Sequence, residues 1–290
     1  MALYIDPPLW PAHGTMFSHL ISDHSLAELH AFAAAAGIPE RAFDRDHYDI
    51  AEERYARLVA QGAKAVDGRQ LTRVLIASGL RIPARRRSES LDTALLLRWQ
   101  SLLPDTSPRA ETTGRALLDR WAEPHRHYHG RTHLLAILEA LETLRTEPPR
   151  HVLLAAWFHD AVYQGVAGED EENSALLAGE LLRELVPAAE LAEVQRLIRL
   201  TASHQPELGD DDGALLCDAD LSVLGSAPED YARYLSAVRQ DYAHIAEADF
   251  QAGRAAVVRQ LLSLDPLYRS PKARSLWAAN AQRNLSSELS

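Results

Sequence analysis

Residues Tyr128–His133 read Tyr-His-Gly-Arg-Thr-His, and an apolar run farther along the chain ends in the pair His159-Asp160. A third acidic segment, Asp218–Asp220, follows later in the sequence. Neutral imidazoles and carboxylates are the usual ligands of first-row divalent metals. Helical bundles build such sites from side chains on facing helices. We therefore expect one metal-binding group within a helical core, made of His133, His159, Asp160 and Asp220.

The spacing of His129 and His133 would place both imidazoles on one face of a helix, although a structural role for such a pair is the alternative. The His159-Asp160 pair favours a metal-binding role over a purely structural one. It ends the apolar segment Val152–Phe158, where a buried carboxylate is costly unless it is paired or metal-bound. For Asp218 and Asp220 the alternative is N-capping of a following turn, and we expect one of the two to do this.

The fold class predicted for the whole chain is α+β with two domains. Apolar residues recur at helical spacing from residue 92 to residue 290, which predicts an all-α helical bundle for this domain. The predicted helices cover Leu91–Leu103, Gly114–Trp121, Leu134–Leu144, His151–Val162, Ser174–Leu185, Ala189–Ala202, Tyr231–Ala246, Phe250–Leu262 and Ser270–Leu285.

Residues 1–82 alternate between strand and helix signals, which predicts a small α/β domain with a parallel sheet. The strand signals lie at Ala2–Asp6, Arg41–Asp44 and Ala63–Val66, and the helix signals at Ser25–Gly37, Ile50–Ala60 and Leu71–Ala77. Ser25 and Glu28 form a capping-box pattern at the start of the first helix. The segment Ile82–Ser90, with its proline and arginine run, has the composition of a linker.

The first domain also carries polar clusters. Asp6 ends a predicted strand, His19 and Asp23 have the spacing of one helical face, and Asp46–Asp49 is predicted to be a polar turn. A functional role and an ordinary role in turns and caps both remain open for these residues. The domain resembles a small uncharacterised family of bacterial proteins, on the strength of Tyr4–Asp6 and His47–Asp49. The resemblance to that family implies no activity for this domain.

Composition restricts the possible functions. The chain has 290 residues and a formal net charge of -11, which argues against bulk binding of nucleic acid. One cysteine, Cys217, cannot form an internal disulfide. The N-terminal sequence has no signal-peptide pattern, and no apolar stretch approaches the roughly 18 residues of a membrane span. These features predict a cytoplasmic, soluble protein that does not insert into membranes.

The order of motifs in residues 92–287 resembles the HD superfamily of metal-dependent phosphohydrolases. In particular, it is similar to a bacterial branch of predicted phosphohydrolases with Tyr-His-x-x-x-His, Phe-His-Asp and Asp-Ala-Asp-Leu motifs, here Tyr128–His133, Phe158–Asp160 and Asp218–Leu221. The resemblance implies one or two divalent ions (Mn, Fe, Zn, Co, Ni or Mg). It assigns their ligands to His133, His159, Asp160 and Asp220.

Further roles follow from the same resemblance. The Tyr-His-x-x-x-His segment is similar to that of cyclic-nucleotide phosphodiesterases, in which the earlier histidine protonates the leaving group, so His129 is the expected general acid. Those enzymes have Asn after this histidine, whereas this chain has Gly130. Members of the superfamily with two metals often carry an extra histidine in the interval that holds His204.

Four charged residues complete the predicted site. Glu172 is a candidate for holding a water or a second ion, against the alternative of compensating a helix dipole. Arg239, Arg254 and Lys272 are candidates for phosphate contacts, against the alternative of surface or interhelical charges. Asp160 is expected to act in catalysis as well, by bridging two ions or by orienting the attacking water.

The expected function is metal-dependent hydrolysis of a small phosphate ester, with a nucleotide as the substrate class that the superfamily implies. The expected mechanism uses metal-activated water and a histidine general acid. Two alternatives remain, a di-iron oxygenase of the HD type and a nucleotide-binding module without turnover. The sequence leaves open the oligomeric state and the role of the first domain.

Overall fold

A computed structural model describes residues 2–12, 14–44, 46–78, 80, 88–103, 107–166 and 168–289. The chain divides into two compact units, Met1–Arg87 and Ser88–Ser290. The arginine run of the predicted linker, at 81–87, lies outside the described residues. The first helix of the second unit already begins at Ser88, so the end of the predicted linker is helical.

The first unit contains a mixed sheet. Its described strands are β1 Leu3–Ile5, β2 Trp10–Ala12, β3 Thr15–Ser22, β4 Phe43–Asp44, β5 His47–Ala51 and β6 Lys64–Ala65. The order is β4-β5-β3-β1-β6, with β2 also paired to β3. Only the β1–β6 pair among these strands is parallel. The predicted parallel sheet is therefore wrong, because short connections such as the β2–β3 turn join antiparallel neighbours.

Helices cover both faces of this sheet. They are α1 Leu26–Ala35, α2 Glu52–Ala60 and α3 Gly68–Ala77. Leu20 and Ile50 pack with residues of α1 and α2. Ile21 points to the opposite face, where it packs against Leu71 and Leu75 of α3. Adjacent strand residues face opposite sides of a sheet, which explains why consecutive residues of β3 join two separate cores.

Two further predictions in this unit are wrong. Of the segment Asp46–Asp49 only Asp46 lies in a turn, because residues 47–51 form β5, which pairs with β3. His19 and Asp23 do not share a helical face, because His19 lies in strand β3. Asp23 instead accepts hydrogen bonds from the backbone of Ala2 and from the hydroxyl of Tyr4. The alternation of polar and apolar residues at 47–50 is itself a strand signal, which the density of polar residues in this segment outweighed in the prediction.

The second unit is helical throughout its described elements. They are α4 Ser88–Leu102, α5 Pro108–Trp121, α6 Arg131–Leu144, α7 Arg150–Phe158, α8 Glu169–Leu182, α9 Ala188–Leu200, α10 Asp211–Asp220, α11 Pro228–Asp241, α12 Glu247–Ser263, α13 Pro271–Ala273 and α14 Ala279–Ser287. The predicted order of a small α/β region followed by a mostly helical region is confirmed. None of the described helices combines the length and apolarity needed to cross a bilayer.

Tryptophans organise the main core of the helical unit. The rings of Trp99 and Trp157 meet edge to face with centroids 5.2 Å apart. The Trp121 indole donates a hydrogen bond of 3.0 Å to the Trp157 carbonyl. This contact joins the end of α5 to the end of α7, and it holds fixed the backbone just before His159. A second core packs the turn Leu221–Gly225, which follows α10, against α11 to α14 around Leu224 and Tyr268.

Gly114 of α5 provides a test of this core. A Cβ atom at this position would lie 2.4 Å from Cδ1 of Trp99. We expect Gly114→Ala to destabilise the helical unit by roughly 1–3 kcal/mol, because overpacking outweighs the gain in helix propensity. The measurement is urea unfolding followed by tryptophan fluorescence.

The matched control is Gly253→Ala in α12, where an added Cβ would have nothing within 4 Å. This variant should gain about 0.5–1 kcal/mol from helix propensity alone. Equal effects of the two substitutions would show that Trp99 does not pack against α5 as described.

Candidate metal centre

Three imidazoles and two carboxylates meet in the helical unit. Nε2 of His133 lies 3.2 Å from Oδ1 of Asp220 and 3.8 Å from Oδ2 of Asp160. Nε2 of His159 lies 3.2 Å from Oδ2 of Asp160 and 3.7 Å from Oδ1 of Asp220. His204 completes the group through a contact of 2.8 Å between its Nε2 and Oδ2 of Asp220. The structure thus brings together all five residues that the sequence nominated as metal ligands.

Helix ends deliver these side chains. His133 lies in the first turn of α6, whereas Asp220 is the last residue of α10. His159 caps the C-terminal end of α7, and Asp160 follows in the next turn. The sequence predicted that this helix would continue to Val162, which is wrong. Because the helix stops at Phe158, Asp160 lies in the turn that follows it. Its side chain contacts His133 and His159 instead of projecting from a helix surface.

His159 has the orientation that a metal ligand requires. Its Nδ1 lies 2.9 Å from the carbonyl oxygen of Ala156 and donates to it, so Nε2 is the nitrogen that faces Asp160 and Asp220, and a metal would take the place of the proton there. This Nε2 is buried and makes no hydrogen bond to any described residue. A buried imidazole nitrogen without such a partner fits a site for a cation.

The donor atoms have a spacing that suits one ion. Ligand atoms of His133, His159 and Asp160 all lie within 4.8 Å of one another. A tetrahedral ion with bonds of about 2.1 Å places its ligand atoms roughly 3.4 Å apart. Oδ1 of Asp220 falls within this range of His133. The residues therefore fit a divalent metal ion, with His204 as a further ligand or as a partner that orients Asp220.

The electrostatics of the group depend on its carboxylates. Burial works against ionisation of Asp160 and Asp220, but the adjacent imidazoles hold the pKa of both carboxyls below the ordinary range. Burial lowers the pKa of His133, and Asp220 offsets this only in part. Burial also acts on His159, but the two carboxylates outweigh it and raise its pKa to about 9. The site is therefore an anionic pocket that attracts positive charge.

His204 holds its position with a backbone conformation that is unusual for a residue with a side chain. Its φ is +53°, the only positive value among the described residues other than glycine. The left-handed region is costly for residues with a Cβ, and such residues concentrate at functional sites. The conformation lies just after the end of α9 and carries the imidazole to Asp220.

His129 lies in the same cavity but in a different environment. The prediction that it shares a helical face with His133 is wrong, because α6 begins only at Arg131 after the N-cap Gly130. The two rings nevertheless lie 5.7 Å apart between centroids. A Cβ on Gly130 would come within 3.3 Å of the Trp121 carbonyl, so the tight turn before α6 explains why a small residue occupies this position.

Asp241 orients His129, and the sequence gave no reason to single it out. Its Oδ2 lies 2.7 Å from Nδ1 of His129, and its carboxylate also accepts the backbone N–H groups of His127 and Tyr128. Burial raises the pKa of Asp241, but these hydrogen bonds outweigh it and lower the pKa below its ordinary value. His129 is thereby fixed with Nε2 as its remaining nitrogen, and its ring stacks on Tyr163 at 4.2 Å.

Arg126 connects the His129 turn to the His159-Asp160 turn, and it was also missed. Its side chain is fully buried and donates to the carbonyls of Asp160 at 2.6 Å and Ala161 at 3.2 Å. The same guanidinium bonds Glu123 and the carbonyl of His129. One planar donor group thus sets the distance between the predicted acid and the predicted ligands.

Two neighbours of Asp220 on α10 have structural roles. The prediction that one of Asp218 and Asp220 caps the following turn is wrong, because Asp220 precedes that turn without a side-chain cap hydrogen bond and Asp218 bonds a distant segment. Asp218 lies within the helix and accepts the N–H groups of Arg269 and Ser270, each at 2.7 Å. Cys217 is buried in the same turn, and burial raises the pKa of its thiol. The last turn of α10 is therefore anchored to the chain that leads into α13.

The metal ligands open onto a cavity of about 720 Å³. Much of its wall is apolar or aromatic, and burial raises the pKa of its phenols Tyr128, Tyr163 and Tyr234, which keeps them neutral. The wall includes segments of α11 and α12 and the loop between Asp160 and Asp170. Asp170 fixes this loop by accepting the N–H groups of Gln164 and Val166.

Three of the nominated charged residues lie away from the cavity. Glu172 is exposed, pairs with Arg199 at 2.6 Å and does not line the cavity, so the structure does not bring it to the predicted site. Arg239 binds Glu247 and the carbonyls of Tyr242 and Ile245, which makes it a link between α11 and α12. Lys272 is exposed on α13 and does not line the cavity.

Arg254 does line the cavity, but its guanidinium is already engaged. It forms two hydrogen bonds of 2.8 Å with Glu288 and one of 2.9 Å with the hydroxyl of Tyr234. These contacts fix α12 against the end of the chain. To contact a phosphate, as predicted, the Arg254 guanidinium would have to give up hydrogen bonds to Glu288, so the phosphate would compete with that carboxylate.

The comparisons with known proteins concern the first unit. Residues 3–78 match the model of a family described as a protein of unknown function (DUF4031). The helical unit with the candidate metal centre lies outside this match. No curated protein and no solved structure matches the chain.

His204 allows a test of the backbone strain. His204→Gly and His204→Ala both remove the imidazole, but only alanine retains the cost of the left-handed conformation. We expect the glycine variant to be more stable than the alanine variant by about 1 kcal/mol, as measured by urea unfolding of the metal-free proteins. Equal stability of the two variants would mean that this residue does not adopt a positive φ.

Proposed function

We propose that the helical unit is a metal-dependent phosphohydrolase of the HD type, which acts on a small phosphate ester. The observation that carries the proposal is the group formed by His133, His159, Asp160 and Asp220. Four predicted ligands from three separate parts of the sequence meet within one buried cluster. Bringing two carboxylates into a helical core is costly without a cation to offset their charge.

The proposed metal supplies a nucleophile that is active near neutral pH and neutralises charge on a phosphoryl group. His133 and His159 would hold it with Asp160 and Asp220. His204 keeps Asp220 in place through the bond of 2.8 Å. Asp160 lies beside both His133 and His159, and its backbone is fixed by Arg126. That position suits it to accept a proton from an attacking water.

His129 is the proposed general acid. Asp241 accepts a hydrogen bond from the Nδ1–H of His129 and so keeps Nε2 directed away from it, in the way that a carboxylate orients the histidine of a catalytic triad. In the protonated imidazolium form of His129, Nε2–H would give its proton to the leaving oxygen, which leaves a neutral imidazole with its hydrogen on Nδ1. The His129 ring lies near His133 and lines the same cavity, so the acid and the metal ligands face one substrate.

The cavity wall favours a substrate with a planar or apolar part beside the phosphate. Tyr128, Tyr163, Tyr234, Tyr242 and Phe250 contribute aromatic surface. Offset or edge contacts with such rings stabilise planar groups such as a nucleobase. The one arginine among the cavity residues is paired with Glu288, so the metal must provide most of the charge compensation for the phosphate. These features support a nucleotide-like ester.

Metal content and turnover should separate in two variants. Asp160→Ala should lose both, because it removes a ligand. His129→Gln should keep the metal and lose roughly 100-fold or more in rate, because it removes the acid. The measurements are elemental analysis of the purified protein and hydrolysis of p-nitrophenyl phosphate, bis-p-nitrophenyl phosphate and a panel of nucleotides.

Glu172→Gln is the matched control, since this exposed carboxylate pairs with Arg199 and should affect neither quantity. Loss of metal in His129→Gln would refute the division of roles. A metal-loaded wild type that hydrolyses no ester in the panel would contradict the proposed reaction. An iron-loaded sample with a charge-transfer absorption band and oxygen consumption would instead favour the di-iron oxygenase.

Asp241 should affect the reaction through His129 alone. We expect Asp241→Asn to retain the metal and to lower kcat by roughly 10- to 100-fold. The reason is that the amide NH₂ of Asn can face Nδ1 of His129, and Nδ1 would then accept a hydrogen bond instead of donating one. Asp119→Asn, at an exposed residue of α5 that does not line the cavity, makes the same change of charge and should leave kcat unchanged. A similar loss in both variants would mean that only the overall charge matters.

A further inference from the structure

A second group of histidines and acids lies in the first unit, on one face of its sheet. His19 of β3 is the direct antiparallel partner of Asp49 of β5. His47 precedes Asp49 by two residues on the same strand. Directly opposed residues, and residues two apart on a strand, share one face of a sheet. The register therefore places His19, His47 and Asp49 side by side.

Each imidazole in this group is held by a buried carboxylate. Nδ1 of His19 lies 3.1 Å from Oδ2 of Asp6, and Nδ1 of His47 lies 2.6 Å from Oδ1 of Asp46. Asp6 is only 3% exposed and Asp46 only 1%. Asp6 also accepts the backbone N–H of His19. A carboxylate on Nδ1 fixes the ring and leaves Nε2 as the ligand atom, the usual arrangement behind metal-bound histidines.

The remaining nitrogens converge on the third residue. Oδ1 of Asp49 lies 3.3 Å from Nε2 of His47 and 4.0 Å from Nε2 of His19. The three ligand atoms lie within 4.8 Å of one another. A tetrahedral zinc-like ion places its ligand atoms roughly 3.4 Å apart, so small movements of the side chains would suffice to bind one.

We propose that the first unit binds its own divalent metal ion, of the zinc class, through Nε2 of His19, Nε2 of His47 and the carboxylate of Asp49. Asp6 and Asp46 act as positioning residues behind the two histidines. This site is separate from the candidate centre in the helical unit and does not depend on the proposed phosphohydrolase activity.

The proposed site is accessible to solvent. The Asp49 side chain is 45% exposed and that of His19 is 24% exposed, so solvent reaches the ligands. Three protein ligands with solvent access are typical of metal ions that take a water or an anionic ligand in a further position. The exposed Trp10 ring lies 5.4 Å from the His19 ring and could pack against a ligand bound there.

The competing explanation is a proton in place of a metal. A protonated His47 would form hydrogen bonds to both Asp46 and Asp49, and the cluster would then be a structural ion pair. A metal and a proton compete for the same nitrogen, so direct measurement of metal binding separates the two explanations.

The test uses the full-length chain with His133→Ala and Asp160→Ala, which removes ligands of the helical unit's centre. Co²⁺ is added and followed by its visible absorption and by equilibrium dialysis. We expect one Co²⁺ per chain at micromolar free metal, with the absorption of a four- or five-coordinate ion. Adding His47→Ala should abolish this binding. Adding His24→Ala, an exposed histidine of the same unit, should preserve it.

Two milder variants guard against misfolding. Asp49→Asn changes a half-exposed ligand and should remove the bound Co²⁺ with an unchanged circular dichroism spectrum. Asp46→Asn should weaken Co²⁺ binding by roughly 10- to 100-fold, as expected of a group that orients a ligand. The proposal is overturned if the background protein binds no Co²⁺, or if folded His47→Ala and Asp49→Asn proteins bind it as tightly as the background.

Discussion

The burial of two carboxylates at the ends of two helices is the constraint on which the helical unit depends. Asp220 ends α10, and Asp160 follows the end of α7. Both stand where the helix dipole is negative and disfavours an acid. Two like charges that contact the same two imidazoles in a core of low polarity repel each other. The fold therefore supplies positive charge or hydrogen-bond donors around them, in the form of three imidazoles.

The residues that hold this group in place come from distant parts of the chain. Arg126 joins two turns that contribute to the cavity, and Asp241 reaches back from α11 to three consecutive N–H groups before α6. Asp218 ties the last turn of α10 to the segment before α13. Each of these groups uses several hydrogen bonds, which is how a buried charge is accommodated. The geometry of the site is thus fixed by a frame of polar contacts outside the ligands.

The metal ligands and the helical class of the second unit could be predicted because both leave a local pattern in the sequence. The predicted ligand set could be chosen because an acid directly after an apolar helix has few roles other than pairing or ligation. The helical class of the second unit followed from apolar spacing. Hydrogen-bond partners more than 100 residues apart, such as His129 and Asp241, leave no local signal. Glu172 shows the opposite case, since a carboxylate near a motif can simply pair with an arginine on the next helix.

In the first unit the strands carry a local signal that the predicted helix and turn do not use. His19, His47 and Asp49 alternate with buried Leu20, Tyr48 and Ile50, and such alternation is typical of a strand. The predicted helical face and polar turn rest instead on a spacing of four residues and on the density of polar residues. Strand pairing over many residues adds to this local preference. The same alternation places the polar side chains together on one face of the sheet.

Cys217 gives the helical unit a built-in reporter. It is the only cysteine of the chain, it is buried, and it lies three residues before Asp220 on α10. A thiol in this position reacts with a water-borne disulfide reagent only after α10 has lifted from its neighbours. The kinetics of labelling the native protein would therefore follow the opening of a single helix, without any engineered probe or background signal from other thiols.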